Sequence, residues 1–119
     1  MIKPFIYLGD AKHIKAIDVQ EIILLKAQRS YCNVIMHNGD SFMCSKPLGI
    51  IAKELPENLF IRIGQSNIVN RNHIRQIDKS QKKLCLTGDH KINYPMRTCE
   101  LLALLGIVVS EAETACRET

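Results

Sequence analysis

Apolar and polar positions alternate over short stretches along most of this chain, and only two segments carry helical spacing. Ile14 to Ile17 and Glu21 to Ala27 read as strands. The second contains four aliphatic residues in succession, Ile22-Ile23-Leu24-Leu25, which predicts a largely buried strand. Asn33 to His37 is a further strand that turns at Asn38-Gly39 into Ser41 to Cys44, because Asn-Gly readily supplies the left-handed backbone of a tight hairpin. Leu48, Ile51, Ala52 and Leu55 then recur at i, i+3, i+4 and i+7 after Ser45 and Pro47. That spacing predicts a short amphipathic helix, stopped by Pro56 and weakened at Gly49 by about 1 kcal/mol relative to alanine.

The second half keeps the same rhythm. Phe60, Ile61 and Ile63 enclose Arg62 in a strand, Gln65-Ser66-Asn67 interrupts it, Ile68-Val69 resumes it, and Asn70-Arg71-Asn72 forces a turn before Ile74 and Ile77. A strand that halts, exposes amides and a hydroxyl, and resumes lifts polar tips off a rigid sheet. Lys83 to Leu86 and Lys91 to Tyr94 form another expected hairpin about Thr87-Gly88-Asp89, ended by Pro95. Thr98 is the predicted cap of a final helix with Leu101, Leu102 and Leu105 toward the core and Gly106 at its left-handed end. Ile107, Val108 and Val109 are expected as an edge strand or an oligomer contact, and Ser110 to Thr119 as a polar tail.

The expected fold is mainly β, with short strands in small sheets and two short helices. At 119 residues with 46% hydrophobic content, the chain is one domain able to bury a core. The reading divides it into a lead-in (1–13), a domain (14–106) and an extension or tail (107–119). No apolar run approaches the roughly 20 residues of a membrane helix, and the first residues lack the apolar core of a signal peptide. A cytoplasmic protein without membrane contact is expected. Five cysteines with no Cys-x-x-Cys spacing point to reduced thiols rather than disulfides or a metal site. Cys32 is the exception, since it falls in a loop expected to face a partner.

The formal charge is only +4, but it is unevenly placed. Phe60 to Arg97 holds eight basic residues against Asp78 and Asp89, whereas residues 98–119 hold Arg117 against four glutamates. A basic middle beside an acidic tail suits a chain that meets a polyanion with one region. Enzymatic chemistry is disfavoured: the four histidines are isolated, expected in turns or at the surface, and the six glycines form no phosphate-cradling loop. No metal or cofactor is implied.

The run Phe60-Ile61-Arg62-Ile63-Gly64-Gln65-Ser66-Asn67-Ile68-Val69-Asn70-Arg71-Asn72-His73-Ile74 resembles the signature of LytTR-type DNA-binding domains. Phe60, Arg62, Ser66, Val69, Asn70 and Ile74 fit that signature, and the resemblance spans Ala16 to Leu105. Gly64 stands where the family usually has His, Asn67 where it has an aromatic, and Pro95 where it has Ser. The resemblance implies a sequence-specific, double-stranded DNA-binding domain of a transcriptional regulator, its loops laid into successive major grooves, on paired direct repeats and with a possible homo-oligomer on DNA. It places Gln65 and Arg97 at base-contacting positions, where an amide suits adenine and a guanidinium suits guanine. The loop Gln28-Arg29-Ser30-Tyr31-Cys32 is the third contact region, with Arg29 and Asn33 reaching bases. Ser66, Lys91 and Asn93 are expected on phosphates.

Each residue also has a plainer reading: Gln65 and Asn67 as partners of backbone groups at a bulge, Arg97 as a lead into the last helix, Asn70 as a turn former. A stand-alone regulator and the output domain of a response regulator fit the sequence equally. The alternative function is a protein-interaction module on the same β scaffold, with DNA binding lost through Gly64 and Pro95.

Overall fold

The computed structural model describes residues 5–9 and 12–106, which form ten strands and two helices. The strands are β1 (Phe5–Gly9), β2 (Ile14–Asp18), β3 (Ile22–Gln28), β4 (Tyr31–Met36), β5 (Ser41–Cys44), β6 (Phe60–Ile63), β7 (Asn67–Asn70), β8 (Ile74–Asp78), β9 (Lys83–Leu86) and β10 (His90–Asn93). The helices are α1 (Leu48–Ala52) and α2 (Thr98–Leu105). A central sheet ordered β5-β4-β3-β7-β6 is antiparallel throughout, and a three-stranded sheet β10-β9-β8 and a two-stranded ribbon β1-β2 complete the fold.

The central sheet is covered on both faces, so its strands alternate between two cores rather than between core and water. Leu25, Val34, Cys32, Cys44, Phe60 and Ile68 face one core with Ile6, Leu8 and Ile17 of the ribbon and Leu48 and Ile51 of α1. Leu24, Ile35, Ile61, Ile63 and Val69 face the other with Leu84, Leu86 and Ile92 of the three-stranded sheet and Leu101 and Leu105 of α2. A bulge between Ile22 and Leu24 places Ile23 beside Leu24 in this second core. Four aliphatic residues in succession are therefore all buried.

Short 3-10 turns join the layers. Asp18 accepts the Gln20 amide at 2.9 Å to start one, and Asn70 accepts the Asn72 amide at 2.9 Å to start another. Asn70 is fully buried, and its Nδ2 donates to the Ile22 carbonyl at 2.8 Å, tying the end of β7 to the start of β3. Its turn-forming role stands. His73, expected in a turn or at the surface, lies in the 3-10 turn Arg71–His73 and is buried there: Nε2 lies 3.0 Å from the Gln20 carbonyl and Nδ1 3.0 Å from Thr87 Oγ1. Because a carbonyl only accepts, Nε2 carries the proton.

Four local expectations change. Residues before Ile14, expected as a lead-in, include β1, whose Ile6 and Leu8 enter the core. The β3–β4 connection shrinks to Arg29-Ser30, because Gln28 pairs with Tyr31. Cys32 consequently lies in a strand, not a loop, and burial followed by the neighbouring Cys44 pushes its thiol from 9.0 up to about 12. The cap of α2 is Arg97, whose amide donates to the Glu100 carboxylate at 2.9 Å, while the buried Thr98 hydroxyl pairs with that of Tyr94 at 2.6 Å. Gly106 ends α2 with φ of 70°, the expected left-handed stop. The expected strand or contact at 107–109 and the tail to 119 lie outside the described residues.

Candidate functional site

One end of the central sheet carries most of the predicted contact residues, because strand ends and turns converge there. Arg29 and Ser30 form the tip of the β3–β4 hairpin, with Arg29 at φ of 58°. Gly64, Gln65 and Ser66 form the β6–β7 turn, and the Ser66 carbonyl accepts the Ala27 amide at 2.8 Å. That bond holds the second turn against the end of β3. Gln65 and Ser66 are exposed.

Behind these tips, a polar row crosses three strands. Lys26 on β3 pairs with Asn33 on β4 and with Asn67 on β7, flanked by Met43 and Ile63. By strand alternation the row shares a face with Leu24, Ile35 and Val69, but it lies past the apolar positions that the three-stranded sheet covers. Asn33 therefore projects from a strand face and not from a loop tip. It is half-buried, as are Lys26 and Asn67.

Strand β10 forms the opposite wall. Lys26, Ala27, Ser66, Asn67, Lys91, Ile92 and Asn93 line one open groove between the two sheets. All three residues expected on phosphates, Ser66, Lys91 and Asn93, thus come together. Arg97 does not line the groove. It begins α2 two residues after Pro95, which rests against Gly64 of the β6–β7 turn, and its guanidinium lies 3.8 Å from Glu100 in an exposed pair.

Two groups of polar side chains differ in what they bond. Asn70, Arg62, Arg71, Arg75 and Asp78 are engaged within the protein: Arg62 donates to the Gln65 carbonyl at 3.0 Å, Arg75 to the Asn72 carbonyl at 3.0 Å, and Arg71 to the Leu105 carbonyl at the end of α2. Asp78 accepts from Ser80 and Gln81, and those bonds, the Ser80 hydroxyl first, hold its carboxyl below the usual range. By contrast, Lys26, Asn33, Gln65, Ser66, Asn67, Lys91 and Asn93 make no side-chain hydrogen bond or salt bridge among the described residues. These seven lie together at the sheet end and groove, where their donors and acceptors are open to a polar ligand.

Lys26 and Asn67 were not singled out from sequence as contact residues. The signal for Lys26 was present as the lone charge closing an aliphatic strand, but its neighbours come from distant parts of the chain. Among the described residues, no cluster of His, Cys, Asp and Glu suits a metal ion, and no helix is long and apolar enough to cross a membrane.

Comparison with known proteins identifies the family and the fold. The model of the LytTr DNA-binding domain family matches residues 12–105. The chain is also similar to a solved LytTr DNA-binding domain of a Bacillus cereus protein described as a methyl-accepting/DNA response regulator. That likeness has a TM-score of 0.71 at 22% sequence identity, covering 88% of this chain and 99% of that one. No curated protein matches.

Proposed function

The chain belongs to the LytTr DNA-binding domain family, and from that premise we propose a sequence-specific, double-stranded DNA-binding domain of a transcriptional regulator, whose sheet end enters successive major grooves. Arg29 and Gln65 read bases from the tips, Arg97 from the start of α2, and Asn33 from the strand face between the tips. Ser66, Lys91 and Asn93 position the domain on phosphates. The unit that does this is residues 14–106 supported by the β1–β2 ribbon. It acts in the cytoplasm, without catalysis, on paired direct repeats, and the exposed Leu104 marks the side available to a second copy on DNA.

The observation that carries the reading is the gathering of polar side chains without internal partners at one end of a sheet whose faces are otherwise covered. Phosphate neutralisation supplies affinity there, and amides and guanidinium groups supply discrimination of about 1–3 kcal/mol per well-formed base pairing. A binding titration on duplexes selected from a random pool tests it. Affinity is expected to fall steeply with salt, with a slope near 0.9 per neutralised phosphate. A flat response, or no retarded species with any duplex, rejects DNA binding and favours the interaction module.

A further inference from the structure

We infer that the groove between β3, β7 and β10 is the seat of a single backbone phosphate, and that Lys26 and Asn67 complete it. This deepens the DNA-binding reading and rests on it. Two lysines from different sheets line the groove together with Ser66, Asn67 and Asn93, and no acidic residue does. A site composed of donors with no acidic residue fits an oxyanion.

The two ammonium groups have no salt-bridge partner among the described residues, although Lys91 also acts on Asp78 from its other side. A monoanion seated between two lysines that line one groove is attracted by both. The phosphodiester source follows from shape. The groove is open to solvent and flanked by the Arg29 and Gln65 turns, so a strand can pass through while neighbouring nucleotides meet the tips. Nothing encloses a free nucleotide.

Lys26 is the member that sequence reading leaves out and geometry demands. It grows from the central strand of the five, and the Ala27-to-Ser66 bond fixes the next residue against the β6–β7 turn. Lys91 belongs to the other sheet. A phosphate held by both lysines fastens the two sheets to one point on the DNA.

The test uses the whole chain and a duplex that it selects from a random pool. Lys26→Met, which keeps the packing stem, is expected to weaken cognate and unrelated duplexes alike and to make the salt slope shallower by about 0.9, with Lys26→Arg restoring it. Lys26→Gln replaces Lys26→Met if the latter melts early. Methylphosphonate replacement, one position at a time, is expected to find one phosphate whose neutralisation costs the unmodified chain affinity and costs Lys26→Met and Lys91→Met little further. An unchanged slope in Lys26→Met, or lysines that map onto different phosphates, overturns the seat while leaving DNA binding intact. Failure of the unmodified chain to bind any duplex ends both readings.

Discussion

Gly64 and Pro95 constrain each other across the gap between the β6–β7 turn and the segment after β10: a Cβ on Gly64 would stand 3.3 Å from Pro95 Cγ, and Gly64 holds φ of 69°. These are two of the three positions where the chain departs from the signature it resembles, which has His and Ser there, and they are neighbours in space. Gly64→His is expected to cost about 1–2 kcal/mol from its left-handed backbone alone. Adding Pro95→Ser relieves the contact but not the backbone. Urea denaturation of the two single variants and the double variant is expected to show a favourable coupling of about 0.5–1 kcal/mol, and strict additivity would show that the ring is not limiting.

Asn70 serves the fold and not the ligand. Asn70→Ala orphans the buried Ile22 carbonyl and the Asn72 amide, so a loss of about 2–4 kcal/mol is expected in chemical denaturation. At temperatures where the variant stays folded, its preference among DNA sequences should match the unmodified chain. A changed preference would place Asn70 at the interface.

Arg97 and Lys91 are expected to fail differently. Arg97→Ala should relax discrimination at one base pair, whereas Lys91→Ala should weaken all duplexes alike and lower the salt slope by about 1. Selection from a random pool followed by salt titration separates the two. Identical behaviour would erase the distinction between reading and positioning.

Cys32 predicts a pH response. Its thiol is raised in the folded chain from 9.0 to about 12, so folding retains a proton that the unfolded chain releases. The contribution is full below pH 9.0 and is lost as pH rises toward 12, because the unfolded state then binds fewer protons. Denaturation at pH 8 and near pH 10.5 should show the unmodified chain losing about 1–2 kcal/mol more than Cys32→Val. Parallel losses would assign the alkaline response to lysines and tyrosines.

The strands were legible wherever apolar side chains alternate or run together, as in β3, β6 and the β9–β10 hairpin. β1 was not, because Phe5 and Tyr7 face outward, 46% and 64% exposed, and mask the period of Ile6 and Leu8. The short Arg29-Ser30 turn was also hidden, since Tyr31 and Cys32 read equally as loop residues until Gln28 pairs across to Tyr31. Of the candidate site, the β6–β7 turn could be named from motif register, and Lys91 and Asn93 of β10 as polar residues of the basic middle. Their neighbour Lys26 could not, because nothing near it in sequence shows that β7 and β10 arrive beside it. Charge counting had a similar limit, as it cannot reveal that Arg71 is spent on the end of α2.

β3 has hydrogen-bonded neighbours on both edges and a packed layer on both faces. Its amides should be among the last to exchange with deuterated solvent, opening only with the whole molecule. Lys26 is rooted in that least yielding backbone, so a ligand gripping it has only the side chain left to immobilise.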